Sequence, residues 1–299
     1  MPTLLTELAE TTRRIAAAVE PSIVTIGRNA RGTGFVLAPG QVLTNAHNLN
    51  DRTTSVTFSD GRSAQAELVG ADVDGDLVVI AVDTADHAPL PWSATDIRIG
   101  DIVFAASLGP AGVRITNGQA SNVGRPFRGP RGRRIPGGIE HTARAARGSS
   151  GGPLLDVDGG VAGINTRRLG AGFYLARPAN AKLIERVTTL AEGTTVERPR
   201  LGVAVAGPKV AAKLRSSVGL PERRGLLVRG VDDDSAAERA GIAVGDLLVS
   251  AGGVGLDSTD ALFDSLDTAD DTVLFTIVRG ADEIEIPVDL RPAAGEDQA

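Results

Sequence analysis

The chain has 299 residues, which is enough for about two domains of ordinary size. Its composition, 42% hydrophobic and 23% charged, is typical of a chain that folds in water and excludes a largely disordered or membrane-embedded protein. The formal net charge of −6 argues against nucleic acid as a partner, because contacts to phosphate need an excess of Lys and Arg.

The N-terminal segment, residues 1–20, predicts one amphipathic helix. Apolar side chains recur at Leu4, Leu8, Ile15 and Val19, and Pro21 ends the pattern. The segment lacks the apolar core of about 7 to 15 residues that an export signal needs, so the sequence as it stands predicts a cytoplasmic protein, or an exported one if a leader has been removed. No stretch approaches the roughly 18 apolar residues of a transmembrane helix, and no membrane insertion is expected.

Short apolar runs punctuated by Gly, Pro and Asn follow this helix. Their length and spacing are typical of strands in a barrel or a sandwich. The clearest runs are 22–26, 34–37, 41–44, 55–58, 77–82, 102–106, 154–156 and 161–165. A helical pattern over 180–191 closes this all-β domain, which we place at residues 21–196.

A polar stretch from 192 to 199 has no apolar period and predicts a linker. Beyond it, strand-like and helix-like segments alternate, which predicts a smaller mixed α/β domain at residues 197–291. The expected strands are 226–231, 246–251, 272–279 and 283–290, and the expected helices are 209–214 and 235–240. The polar residues 292–299 predict a disordered tail.

The glycine-rich segment 148–153 carries the strongest chemical signal. It reads Gly148-Ser149-Ser150-Gly151-Gly152-Pro153. A serine between glycines can lie on a tight turn that exposes its hydroxyl and directs neighbouring N–H groups at a substrate oxyanion. The same string fits a flexible Gly-Ser loop and the G-x-S-x-G turn of α/β-hydrolases, so spacing alone leaves the alternatives open.

The order of residues along the chain separates these alternatives. All three histidines, His47, His87 and His141, precede Ser150, whereas an α/β-hydrolase needs its histidine after the serine. A subtilisin-type order needs an aspartate before the histidine; no aspartate precedes His47, and neither His87 nor His141 has a matching context. The order His, Asp, Ser remains, which is that of the chymotrypsin architecture.

The candidate acid is Asp76. It directly precedes the apolar run 77–82, an expected interior strand, so its carboxylate can be half-buried beside an imidazole. His47 follows another expected strand, 41–44; a lone histidine there is more often structural, and it gains weight only together with Ser150 and Asp76. Asp72 and Asp74 are expected to be solvated turn residues.

Four segments together resemble the HtrA/Deg family of serine proteases. They are Thr33-Gly34-Phe35-Val36, Leu43-Thr44-Asn45-Ala46-His47, Asp76-Leu77 and Gly148-Ser149-Ser150-Gly151-Gly152-Pro153-Leu154. The resemblance covers most of residues 20–290. It implies a mainly β fold, a chymotrypsin-like double β-barrel protease domain followed by a PDZ domain, with the active site in the cleft between the barrels.

The resemblance also implies a role for each site residue. His47 is the base, Asp76 the orienting acid and Ser150 the nucleophile. The backbone N–H groups of Gly148, Ser149 and Ser150 form the oxyanion hole. The implied activity is an ATP-independent endopeptidase for unfolded or damaged proteins, and the family's trimers suggest a homo-oligomer.

No cofactor and no metal are expected. The chain has no cysteine, which excludes disulfides, thiolate metal sites and a cysteine nucleophile, and no G-x-x-x-x-G-K-[ST] phosphate loop occurs. Two alternatives to a general endopeptidase stay open. One is a peptide-binding scaffold or holdase with a resting, misaligned protease site, and the other is a narrowly specific processing protease.

The second domain resembles a circularly permuted bacterial PDZ domain. The matching segments are Arg200-Leu201-Gly202-Val203, Gly225-Leu226-Leu227-Val228, Ala240-Gly241 and Gly245-Asp246. Such a domain binds an extended peptide C-terminus by strand addition, and the N–H groups around Leu201, Gly202 and Val203 would hold the terminal carboxylate. The alternative is a domain that only packs on the protease.

Two basic features lie outside these motifs. Five arginines crowd residues 125–134, at Arg125, Arg128, Arg131, Arg133 and Arg134. With their glycines and prolines they predict a flexible cationic loop, either solvated or docked on the peptide-binding domain or an acidic partner. Arg177 occupies a position where the family usually has an apolar residue, and we expect its charge to point outward from an alternating strand rather than into the specificity pocket.

Overall fold

The computed structural model describes residues 3–109, 111–196 and 198–291. The chain divides into two compact units, Met1–Glu197 and Arg198–Ala299, and the sequence placed this boundary between residues 196 and 197. The tail predicted at 292–299 lies outside the described residues. None of the helices in the described ranges is long and apolar enough to cross a membrane.

Helix α1, Leu4–Val19, lies where the apolar pattern predicts it. The Thr3 hydroxyl accepts a hydrogen bond from the Thr6 N–H and caps the helix N-terminus. Ile15 and Val19 are fully buried, which anchors the second half of the helix on the barrels that follow.

The first barrel is formed by six antiparallel strands. They are β1 Ile23–Ile26, β2 Gly32–Ala38, β3 Gln41–Thr44, β4 Thr53–Thr57, β5 Ser63–Asp72 and β6 Leu77–Ala81. The strand order is β1-β2-β3-β6-β5-β4, and the pairing of β1 with β4 closes the barrel and leaves no free edge. Val24, Val36, Val56 and Ile80 are fully buried in its core.

The second barrel repeats this arrangement. Its strands are β7 Ile102–Gly109, β8 Gly112–Arg128, β9 Arg134–His141, β10 Pro153–Leu155, β11 Val161–Gly170 and β12 Phe173–Pro178. The order β10-β11-β12-β9-β8-β7 closes through the pairing of β10 with β7. Helix α2, Ala181–Ala191, follows β12 and is capped by Asn180, whose side chain accepts from the Leu183 N–H.

One apolar cluster joins the two barrels. It contains Phe35 and Leu77 from the first barrel, Phe104 and Ile164 from the second, and Ile15 from α1, all fully buried. Side chains from both barrels therefore share one core, which fixes the facing strand ends of each barrel. The predicted double β-barrel is confirmed.

The second unit is a mixed α/β domain, as predicted. Its strands are β13 Val203–Ala206, β14 Leu226–Val231, β15 Leu247–Ala251, β16 Val254–Gly255, β17 Thr272–Arg279 and β18 Asp282–Asp289, and its helices are α3 Pro208–Ser217, α4 Ala236–Arg239 and α5 Thr259–Asp267. The sheet order is β13-β14-β15-β17-β18, with β16 beside β15. Within the described part of this unit, β13 is an edge strand that pairs only with β14.

Candidate active site

His47 and Asp76 meet at adjacent strand ends of the first barrel. His47 lies in a short 3-10 turn after β3, and Asp76 directly precedes β6, which pairs with β3. The imidazole Nδ1 is 2.9 Å from both carboxylate oxygens of Asp76, and Oδ1 also accepts the His47 backbone N–H at 3.1 Å. Because the carboxylate holds the ring proton on Nδ1, Nε2 is left as a proton acceptor.

The Asp76 side chain is 5% exposed, whereas that of His47 is 38% exposed. The imidazole can therefore meet a substrate, while its orienting carboxylate is shielded from water. In this environment the hydrogen bonds to Asp76 are stronger than they would be at the surface.

The turn 72–76 that carries Asp76 is tightly held. Asp76 has a φ of +57°, a left-handed conformation that is costly for a residue other than glycine. The Gly75 N–H donates to Asp72 Oδ1 at 2.8 Å, and the Asn45 side-chain amide donates to the Asp76 carbonyl at 2.8 Å. These contacts hold the turn in the conformation that directs the Asp76 carboxylate at His47.

The prediction that Asp72 and Asp74 are solvated is wrong, since both are buried. Asp72 lies 3.8 Å from the Arg186 guanidinium of α2, and Asp74 lies 3.7 Å from that of Arg133. A buried carboxylate costs several kcal/mol unless a cation or hydrogen bonds compensate it. Basic residues distant in sequence supply that compensation beside the turn that carries Asp76.

The arginine-rich segment is not the flexible loop that its composition predicts. Arg125 and Arg128 lie in β8, Arg134 begins β9, and Arg133 is buried in the turn between these strands. The hairpin is held by an apolar cluster of its own, formed by Phe127, Ile135 and Leu175. Cross-strand pairing with several register shifts, which places Arg128 opposite Arg134, accommodates the arginines on this hairpin.

The prediction that the Arg177 charge points outward from its strand is also wrong. The side chain is half-buried and does not point outward, because Nη1 donates a hydrogen bond to the Gly75 carbonyl. The guanidinium therefore reaches from β12 of the second barrel to the turn that carries Asp76. It links the two halves of the site.

We predict that Arg133→Met destabilises the first unit by about 3 to 5 kcal/mol, because it leaves the Asp74 carboxylate buried without its cation. Arg133→Met combined with Asp74→Leu is expected to recover much of the loss. Denaturant unfolding of the two variants and the wild type measures both effects. Arg125→Met is the control: the Arg125 side chain is 52% exposed and Glu140 keeps a hydrogen bond from Ser121, so we expect a smaller loss of about 1 kcal/mol. Equal losses in Arg133→Met and Arg125→Met would contradict the prediction.

Ser150 lies on the turn that its glycine neighbours predict. Gly148 and Gly151 have φ values of +84° and +86°, and a Cβ on Gly151 would lie 2.3 Å from the Thr33 carbonyl oxygen. Only glycine fits there. The Ser150 carbonyl accepts from the Thr33 N–H and from the Asn48 side-chain amide, both at 2.9 Å, which fixes the loop beside the turn that carries His47.

The Ser150 hydroxyl donates to the Thr166 carbonyl. Within the described residues it makes no hydrogen bond to His47. The Thr166 hydroxyl in turn donates to Asp76 Oδ2 at 3.3 Å, so Thr166 contacts both the serine and the acid. The structure therefore brings the predicted residues together, but the Ser150 hydroxyl is hydrogen-bonded to Thr166 and not to His47.

The three predicted oxyanion donors are not equivalent. The Ser149 N–H donates to the Ala146 carbonyl at 3.2 Å. The N–H groups of Gly148 and Ser150 have no hydrogen-bond acceptor within the described part of the chain. Of the three donors, these two are open to a substrate oxygen.

His141, which the sequence excluded as a base, is completely buried in β9. Its Nε2 lies 3.0 Å from the Asn165 side-chain oxygen. Desolvation by burial lowers the pKa of His141 to about 4, and the Asn165 side chain and the Ala143 backbone oppose this shift only in part. The imidazole is therefore neutral in the folded protein at pH 7.

This shift predicts a loss of stability in acid. Because the unfolded chain binds a proton at His141 near the usual pKa of about 6.5 and the folded chain does not, the free energy of unfolding falls as the pH drops from 6.5 to 4, by about 3 kcal/mol in total. Urea unfolding of the wild type and of His141→Gln at pH 7.5 and pH 4.5 measures this contribution. The wild type should lose more stability than His141→Gln, and equal losses would contradict the assignment.

In the second unit, the predicted carboxylate-binding residues precede and begin the edge strand β13. Gly202 has a φ of +76°, and its carbonyl accepts the Asp232 N–H at 2.9 Å. Leu201 is buried, and its carbonyl accepts the Ala237 N–H at 2.8 Å. The N–H groups of Leu201 and Gly202 have no acceptor among the residues that the structure describes, which leaves two donors at the start of an edge strand.

In the described ranges, no group of three or more His, Asp and Glu side chains is arranged to hold a metal ion. A hydroxyl, an imidazole beside a buried carboxylate, and two N–H donors are the parts that acyl transfer needs.

Comparison with known proteins gives two domain matches. Residues 32–164 match the trypsin-like peptidase domain, and residues 227–279 match the PDZ domain. Two curated relatives are both named probable periplasmic serine endoprotease DegP-like. The Rickettsia conorii protein is 30% identical over 86% of this chain and 53% of its own length, and the Halomonas elongata protein is 34% identical over 79% and 50%.

Solved structures agree on the fold. An HtrA-type protease AlgW with decapeptide covers 94% of this chain and 99% of its own, at 23% identity and a TM-score of 0.65. The serine endoprotease from Yersinia pestis covers 97% and 98%, at 24% identity and a TM-score of 0.63. The chain spans about half the length of the curated relatives, whose names place them in the periplasm, so the comparisons give no support to the expected cytoplasmic location.

Proposed function

Since the chain belongs to the HtrA family of serine proteases, we propose that it is an ATP-independent serine endopeptidase that cleaves unfolded or damaged polypeptides. The observation that carries the proposal is the contact of Asp76 with the His47 imidazole. In addition, Thr166 hydrogen-bonds to both Ser150 and Asp76, which keeps the serine near the pair. A glycine-rich loop with two open N–H donors completes the set of groups.

The proposed reaction begins when the Ser150 hydroxyl leaves the Thr166 carbonyl and turns to His47 Nε2. The oxygen then attacks the peptide carbonyl as His47 takes its proton. Asp76 stabilises the resulting imidazolium through Nδ1–H, and the N–H groups of Gly148 and Ser150 stabilise the oxyanion. His47 protonates the leaving amine, and water releases the acyl group from Ser150 by the reverse proton route.

The second unit supplies the proposed regulation. An extended peptide can add to the free edge of β13 with its terminal carboxylate at Leu201 and Gly202, whose N–H groups lack acceptors within the described residues. A cavity of about 770 Å³ beside Gly207, Pro208 and Val210 lies at the far end of β13. It offers room for residues upstream of the peptide C-terminus.

We predict that Gly202→Val weakens binding of a hydrophobic C-terminal peptide by more than about tenfold. A Cβ at Gly202 would lie 2.2 Å from that of Ser235, and φ is positive there, so the loop must move. Gly255→Ala in β16, away from the proposed peptide site, is the control, since nothing lies within 4 Å of its added Cβ. Fluorescence anisotropy of a labelled peptide measures both variants. Wild-type affinity in Gly202→Val would rule out this carboxylate site.

Digestion of an unfolded protein tests the proposed function. The purified chain is incubated with the substrate without nucleotide or added metal, with and without a hydrophobic C-terminal peptide. Many fragments support a general endopeptidase, and faster cleavage with peptide supports regulation through the second unit. One or two fragments indicate a narrowly specific processing protease.

The hydrogen bond from Ser150 to the Thr166 carbonyl favours a second candidate, a peptide-binding scaffold or holdase with a resting protease site. Binding of the peptide without cleavage under any condition would replace the endopeptidase by this scaffold. If the chain neither cleaves the substrate nor binds the peptide, both candidate functions are excluded. The homo-oligomer implied by family resemblance is a further prediction, which sedimentation velocity tests directly.

A further inference from the structure

We propose that His141 is a positioning residue of the active site, because its Nε2–H fixes the Asn165 carboxamide that holds the backbone directly behind Ser150. The inference rests on the proposed peptidase function. His141 takes no part in the proposed proton transfers, and its proposed role is to fix the residues that follow the nucleophile.

Asn165 binds the three residues that follow Ser150. Its backbone carbonyl accepts the Gly151 N–H at 2.7 Å, and its backbone N–H donates to the Gly152 carbonyl at 2.9 Å. Its side-chain amide donates to the carbonyls of Gly152 at 3.1 Å and Pro153 at 3.0 Å. Four hydrogen bonds from one residue therefore set the path of the chain as it leaves the nucleophile.

These contacts determine which way the carboxamide points. Both Nδ2 hydrogens are used by the carbonyls of Gly152 and Pro153, so Oδ1 must accept, and the group it faces is His141 Nε2 at 3.0 Å. A flipped amide would place its oxygen against two carbonyls. His141 must therefore carry its proton on Nε2, the opposite tautomer to the one that Asp76 imposes on His47.

The surroundings of His141 are rigid and apolar. The ring stacks on Tyr174 with centroids 5.9 Å apart, and β9 pairs with β12 and β8 on its two sides at this residue. His141 Nδ1 is buried and has no partner among the described residues. The one hydrogen bond of the imidazole to the described residues is thus that to Asn165, and the Ala143 backbone lies close enough to raise the pKa of the ring against the larger effect of burial. The paired strands on both sides fix the ring relative to the loop of Ser150.

The first test compares two substitutions by peptidase kinetics. His141→Phe keeps a flat ring but removes the donor, and we expect kcat to fall about 10- to 100-fold with KM within about twofold, because a misplaced nucleophile affects the chemical step more than binding. His141→Gln keeps an N–H that can reach Asn165 Oδ1 and should recover most of the activity. His87→Phe, at the other stacked histidine, is the control and should be unchanged.

Equal kcat in His141→Phe and the wild type would overturn the proposal. So would equal losses in the Phe and Gln variants, since these would show that the site needs the ring and not its donor.

The second test needs no activity and is made on Ser150→Ala. ¹⁵N NMR of its histidines should show one imidazole as the Nε2–H tautomer at pH 7 that is lost in His141→Gln. An Nδ1–H tautomer at His141 would overturn the proposal even if the enzyme is active. The expected tautomer in Ser150→Ala, found together with a wild-type chain that cleaves nothing, would support the positioning geometry and remove the proposed function.

Discussion

Ser150→Ala is expected to lower kcat by about 10⁶, to the level of the residual effect of binding and the oxyanion donors. The alanine cannot attack a carbonyl, and no other hydroxyl lies at this position of the turn. Because the Ser150 side chain bonds only to the Thr166 carbonyl among the described residues, its loss should leave the fold intact. Single-turnover cleavage of a chromogenic peptide, with thermal unfolding of both proteins, measures these two expectations.

The neighbouring serine provides the control. Ser149 is buried, and its hydroxyl has no partner in the described ranges, so Ser149→Ala should change neither kcat nor stability by a large factor. If Ser150→Ala retains activity and Ser149→Ala loses it, Ser149 and not Ser150 is the nucleophile. Activity retained by both would show that the cleavage does not depend on this loop.

The sequence predicts a single set of candidate site residues because chain order is a strong filter. With all three histidines before Ser150, only one order of the triad survived, and the apolar strand after Asp76 selected one of the aspartates that follow His47. Local sequence could not reveal that Asp72 and Asp74 are buried, because a short turn with three aspartates and a glycine has the composition of a solvated loop. The arginines that compensate them, Arg133 and Arg186, are far away in sequence.

The fold class followed from strand spacing and family resemblance, but several elements did not. Strand β13, Val203–Ala206, has only four residues, and an alternation of Val and Ala over so short a run does not distinguish a strand from a linker. Helix α5 had a usable signal: the Ser258 cap, and Leu262 and Leu266 spaced four apart on the buried face. The charged ends of β8 and β9 have the composition of a loop, because the strand pairing and the contact of Phe127 and Ile135 with Leu175 of β12 that order this hairpin are not visible in the local sequence.

The contacts of Thr166 connect the resting arrangement to the proposed mechanism. Its carbonyl accepts a hydrogen bond from the Ser150 hydroxyl, and its own hydroxyl donates to Asp76. A small shift of this segment of β11 therefore alters the hydrogen bonds of both residues. The register of β11 against β12 is irregular between Asn165 and Arg167, which places Thr166 at a bulge. A bulge is a local site where a strand can re-aim a group without disrupting the barrel, and it offers a route from rest to activity.

Asp76→Asn is expected to lower kcat by about 10⁴ with little change in KM. Asp76 Oδ1 accepts the His47 backbone N–H, so an asparagine would keep its oxygen there and turn its NH₂ group toward Nδ1. The imidazole would then place its proton on Nε2 and could not accept the Ser150 proton. Peptide hydrolysis beside Asp83→Asn, an exposed aspartate just beyond the other end of β6, measures the effect, and the control should keep wild-type kcat. Similar kcat values in Asp76→Asn and Asp83→Asn would exclude Asp76 as the orienting acid.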